Sequence, residues 1–150
     1  MSVSFLLFII FIFLTATIHA LLEIQIEGPH GWAAKLPTFR FTNWWTKKFT
    51  EVGYITGFHT FTLIFVLVFA HFPLFFVEQW SLANEALVLS FTFFHFVLED
   101  FLWFVYNPHF GIRRFSRAYI WWHKRWFLGL PLGYWMGAIC GVALYLFATQ

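Results

Sequence analysis

The chain has 150 residues, 61% of them hydrophobic and only 11% charged, with a formal net charge of +2 and with 24 Phe and 9 Trp. Soluble domains carry about a quarter charged residues, and a fold this small cannot hide so much apolar surface from water. The composition therefore excludes an ordinary soluble domain and predicts an all-α integral membrane protein, one membrane domain over residues 1–150.

In chain order, four apolar segments approach the twenty or so residues that a spanning helix needs. They run over about 3–22, 54–77, 86–106 and 127–149. In lipid such segments must be helices, because exposed strand edges leave backbone groups unpaired. The expected fold is a four-transmembrane-helix bundle. The first segment lacks a positive n-region and is longer than the core of a secretory leader, so it is read as a retained helix.

The nine Lys and Arg fall into two stretches, Lys35, Arg40, Lys47 and Lys48, then Arg113, Arg114, Arg117, Lys124 and Arg125. Four crossings put both stretches on one face, so helix count and the positive-inside rule agree. Both termini are expected outside, with the basic connections cytoplasmic, in a cell membrane or an organelle inner membrane. The connections, about 27–50 and 107–126, interleave these cations with Trp32, Trp44, Trp45, Trp121, Trp122, Trp126 and several Phe. Basic aromatic segments of this kind lie in the membrane interface against anionic headgroups. The alternative to this anchoring is a lid over a site at that face. Nucleic acid is excluded as a partner, since so many interleaved aromatics fit a membrane interface better.

Histidine and acid positions carry the chemistry. His95, Glu99 and Asp100 sit inside the third apolar segment, where ionisable groups usually face a bundle interior or serve a site. His95 and Glu99 are four apart and share a helix face. His59 falls at similar depth on the second segment, and His30, His109 and His123 belong to the two connections on the same side. Imidazole and carboxylate without thiolate suit iron, zinc or copper. The expected ligands are His95, Glu99, His59, His109, His123 and His30, for one or two ions, with Asp100 as acid/base. His71, deep in the second segment, is a candidate ligand for a haem or pigment.

Gly129, Gly133, Gly137 and Gly141 recur every fourth residue in the last segment and predict close packing, within the chain or with another subunit. Cys140 in the same segment is expected to be a buried, inert thiol. The chemistry is similar in type to the histidine-box sites of membrane hydroxylases and desaturases, but neither H-x-x-H-H nor H-x-x-x-H occurs here. No family's residues are therefore carried over. The leading expectation is a metal-dependent membrane enzyme acting on a lipid or other apolar substrate. A non-catalytic subunit of a larger membrane complex is the alternative. A proton or ion pathway through Glu78, His71, His95 and Asp100 is the third.

Overall fold

A computed structural model of the chain describes residues 5–77 and 79–150. Its helices are α1 (Phe5–Glu27), α2 (Trp44–Phe49), α3 (Gly57–His71), α4 (Leu82–Tyr106) and α5 (Leu132–Ala148). Two short hairpins accompany them. In the first, β1 (Arg40–Phe41) pairs with β2 (Ile55–Thr56), and in the second β3 (Trp126–Phe127) pairs with β4 (Leu130–Pro131), both antiparallel.

Three of these helices are long and apolar enough to cross a membrane: α1 with 23 residues, α3 with its 3-10 extension Gly57–Phe76 with 20, and α4 with 25. The fourth expected segment is shorter as a helix. Residues 126–131 form the second hairpin, whose turn residues Leu128 and Gly129 both have positive φ, as a two-residue turn between twisted strands requires. Helix α5 therefore starts only at Leu132 and has 17 residues.

Local chemistry explains the other boundaries. The Thr56 hydroxyl accepts the His59 N–H and caps α3, and the Ser81 hydroxyl accepts the Asn84 N–H and caps α4. Pro73 lacks an N–H, and α3 tightens into a 3-10 turn there. Asn107 ends α4 ahead of Pro108, which disfavours helical backbone before it. Helix α1 continues past the expected end at Leu22 to Glu27, so Glu23 and Glu27 become helical residues.

Helix α4 is the centre of the molecule. Helix α1 lies parallel to it: Phe11 stacks on Phe91, Thr15 meets His95, and Ala16, Ala20 and Ile24 share a core with Leu102 and Trp103. Ala16 and Ala20 are fully buried, so small side chains bring the two backbones together. Helix α5 packs against α4 in the opposite direction. There, Gly137 lies against Val97 and Gly141 against the Phe94 ring, and Ser90 Oγ donates to the Gly141 carbonyl at 2.8 Å. Half of the glycine stripe thus packs inside the chain, whereas Gly133 has open space beside it and Gly129 serves the hairpin turn. Cys140, expected buried, is exposed on α5. Phe61, Phe65, Val68, Phe69 and Phe72 stand exposed along α3, an apolar surface of the kind that water does not tolerate.

The two connections are stapled to each other at the ends of α1 and α4. Asn107 is fully buried, and its Nδ2 donates to the Gly28 carbonyl at 2.9 Å. Gly31, at φ +59°, lies beneath two indoles: a Cβ there would stand 2.6 Å from Trp122 Cη2 and 3.2 Å from Trp103 Cη2. Gly31→Ala is expected to combine about 1–2 kcal/mol for left-handed backbone with about 1–3 kcal/mol of overpacking. Gly28→Ala shares the positive φ but meets open space, so it should suffer the first term alone. Thermal unfolding of the two variants in detergent checks this, and equal losses would show that the indoles do not press on Gly31.

Candidate metal centre

Helix α1 carries His19, Glu23 and Glu27 at intervals of four, hence along one face, and α4 carries His95 and Glu99 at the same interval. Parallel packing brings the two sets level. His19, Glu23 and Glu99 each offer a ligand atom, and these atoms all lie within 4.8 Å of one another. His19 Nε2 stands 3.6 Å from Glu23 Oε1. Glu23 is 8% exposed and Glu99 5%, and Glu99 Oε1 has no hydrogen-bond partner. Two carboxylates facing each other in an apolar interior repel unless one of them is protonated or positive charge sits between them.

A hydrogen-bond chain sets the imidazole tautomers. Thr15 Oγ1 donates to the Phe11 carbonyl at 2.8 Å, so it is an acceptor toward His95 Nδ1, 3.2 Å away. A neutral His95 then carries its proton on Nδ1 and presents a bare Nε2. That atom lies 3.0 Å from His19 Nδ1, which must donate. His19 is left with its lone pair on Nε2, facing Glu23 and Glu99. The ring is held in the tautomer a metal ligand needs, by a neighbour that is not itself a ligand.

A second group of polar residues adjoins the first. His59 Nε2 is 3.7 Å from Glu27 Oε1, its Nδ1 is 2.6 Å from Thr56 Oγ1, and its ring stacks on Trp32 at 4.3 Å. Asp100 Oδ2 accepts from Tyr134 and is 3.0 Å from His123 Nε2. Burial alone would lower the His123 pKa, but the Asp100 carboxylate, with Glu51 beyond it, outweighs that effect and holds it above its ordinary value. Glu27 Oε1 accepts the Ala33 N–H at 2.5 Å, where Trp32 and Ala33 both have positive φ. Strained backbone of this kind gathers at functional sites.

The expected site residues separate accordingly. Glu99 lies in the group of three, and His95 lies beside it as the partner of His19. His59 and His123 belong to the adjoining group, the latter bound to Asp100. His30 is half-buried and His109 exposed, and neither meets the acids. The Asn107 side chain accepts the His109 N–H at 3.0 Å, and this turn leaves the imidazole outside. Indoles close the face instead: Trp103 and Trp122 are buried there, with Trp32 against His59. His71 sits at the far end of α3. Its Nδ1 meets the Leu67 carbonyl at 2.6 Å and its Nε2 meets Glu85 Oε1 at 2.9 Å. Glu78 lies outside the described residues.

His19, Glu23, Glu27 and Tyr134 were not among the expected site residues. The first three repeat the four-residue spacing of His95 and Glu99, and that repetition is the sequence signal for them. Compared with known proteins, the chain matches no family model, no curated protein and no solved structure.

Proposed function

We propose that the chain is a membrane protein of four crossings, with α5 as the fourth, whose His19, Glu23 and Glu99 hold a divalent transition-metal ion near the basic face. We further propose that the ion serves chemistry on a lipid or another apolar substrate. The observation that carries this reading is the grouping of His19, Glu23 and Glu99, whose ligand atoms lie within 4.8 Å of one another, with the Thr15–His95 chain against the other nitrogen of His19. Nitrogen and oxygen donors without sulfur favour iron, manganese or zinc. Such an ion activates water or oxygen and polarises a bound group.

Two apolar grooves along α1 and α4 support an apolar substrate. One, of about 380 Å³, is lined by Leu7, Phe11, Leu14, Leu74, Val88 and Phe91, and the other, of about 340 Å³, by Ile9, Phe13, Phe94, Val97 and Phe101. At 17 residues α5 is at the short end of the spanning range. With α5 inserted, the basic connections share one side of the membrane.

Elemental analysis of the detergent-purified chain is the direct test. Protein that is folded and active without iron, manganese, zinc or copper would overturn the reading. The chain of hydrogen bonds adds a graded prediction: His95→Ala should weaken metal binding about 10–100-fold by releasing the His19 ring, and His19→Ala should weaken it further. Equal affinity in His95→Ala and wild type would show that the tautomer is not set by this neighbour. The exposed Phe face of α3 supports a second reading, a metal-binding subunit packed against other membrane proteins. Migration of the chain alone after mild detergent extraction would count against it.

A further inference from the structure

We infer that one ordered water occupies a small, partly open cavity beside the metal centre, shared by the indole N–H groups of Trp32 and Trp103, and that this water pins the Trp32 turn against α4. The water does not depend on an ion at the neighbouring site. The cavity is about 20 Å³, and Trp32 and Trp103 line it together with Glu23, Glu27, His59 and Asp100. A buried water needs about 10–15 Å³ of such space and two to four polar partners. There is room here for one water and not for two.

The donors identify the occupant. Among the described residues, the Nε1 atoms of Trp32 and Trp103 are buried and have no hydrogen-bond partner. An indole N–H only donates, and a buried donor without an acceptor is costly. Both rings therefore call for an acceptor, which a metal ion or an ammonium group in this cavity cannot be. An anion is excluded for the opposite reason, because Glu23, Glu27 and Asp100 line the same space and like charges repel.

Water meets both demands. Its two lone pairs match the two indole donors, and its two hydrogens match carboxylate oxygens. Asp100 is suited to take one of them. Tyr134 and His123 both bind its Oδ2, and neither takes Oδ1.

The backbone around Trp32 gives the water its role. Gly31, Trp32 and Ala33 have φ of +59°, +49° and +47° in succession. Left-handed backbone is costly at a residue with a Cβ, and it persists only where the surroundings fix it. Glu27 Oε1 fixes one side by accepting the Ala33 N–H at 2.5 Å, and the His59 ring stacks on the Trp32 ring at 4.3 Å. The shared water fixes the Trp32 N–H as well. Its other donor, Trp103, is only 3% exposed on α4 and is packed against Phe104, Phe110 and Trp122. The water thus joins a strained turn of the first connection to a buried ring of the central helix, and Trp103 is a positioning residue for Trp32.

The test uses the full-length chain in detergent with chelator present, its indole nitrogens isotope-labelled for magnetic resonance. Trp32→Phe and Trp103→Phe identify the two N–H signals. In wild type both should receive magnetisation from a long-lived water. Because they share it, each variant should disturb the other ring: the Trp32 N–H should exchange with solvent about 2–10-fold faster in Trp103→Phe, the worth of one hydrogen bond, and the Trp103 N–H likewise in Trp32→Phe. Transfer missing at either indole would overturn the proposal. Unchanged exchange in both variants would also overturn it, since the two rings would then have separate partners. A crystal structure of the wild-type chain decides the matter even if a variant fails to fold. One water within hydrogen-bond reach of both Nε1 atoms supports the proposal, and an empty or ion-filled cavity overturns it.

Discussion

Glu23→Gln is expected to strip the chain of bound metal while leaving it folded. Glu23 is one of the three residues of the proposed His19–Glu23–Glu99 site, and its Oε1 stands 3.6 Å from His19 Nε2. Glutamine keeps the volume but removes the charge and turns one acceptor into an N–H2 donor. That donor would face His19 Nε2, now 3.6 Å from Glu23 Oε1, and thus block the lone pair the site depends on. Losing an orienting group weakens metal affinity about 10–100-fold, and losing a ligand should exceed that. The apoprotein should move the other way. Removing one of several crowded carboxylates relieves repulsion, so with chelator present the variant should be at least as stable as wild type. Metal content with thermal unfolding, each with and without chelator, reads both effects. A variant with wild-type metal content would remove Glu23 from the site.

Gly137→Leu should have the largest effect on the fold. A Cβ at Gly137 would lie 2.5 Å from Val97 Cγ2 and 3.9 Å from the Phe93 carbonyl, so the α4 backbone stands directly behind the clash. One turn further along, a Cβ at Gly141 would be 3.0 Å from the Phe94 ring. Helix α5 therefore has no slack in this direction, and a leucine must push it from α4. Overpacking alone is worth about 1–3 kcal/mol. Tyr134, on the preceding turn, would lose Asp100 as well, at about 1.5–3 kcal/mol for a bond to a charged group. Thermal unfolding in detergent measures the sum. Gly133→Leu is the control, since nothing lies within 4 Å of its Cβ position, and it should stay within about 0.5 kcal/mol of wild type. Equal stability of the two variants would mean that α5 does not pack through Gly137.

Apolar length and charge made the long helices legible in the sequence, and the four-residue spacing of His95 and Glu99 made one wall of the site legible. Helix boundaries were less so. The first apolar segment was bounded at Leu22, which left Glu23 and Glu27 outside the expected helix. Helix α1 instead carries them inward, since α4 offers polar partners at the same level. The lid was read from its aromatic and basic composition, but composition cannot say which side chains turn inward. His30 and His109 resemble His123 in a sequence, and only the turns at Gly28 and Asn107 separate them. Tyr134 was invisible for a related reason. Its role depends on α5 running antiparallel to α4 in one register, which Gly137 and Gly141 permit without specifying the partner.

The parallel pairing of α1 with α4 orders the way the protein must be built. Two of the three proposed ligands, His19 and Glu23, emerge first during synthesis, on α1, and the third, Glu99, arrives only after α2, α3 and their connections have been made. Until α4 enters beside it, His19 has no His95 to turn its ring, and Glu23 has no Glu99 opposite. On the proposed reading, metal uptake would be tied to the last stages of assembly rather than to the nascent first helix. An ion acquired then would clamp together two segments that no short loop holds, and would mark the finished fold from the unfinished one.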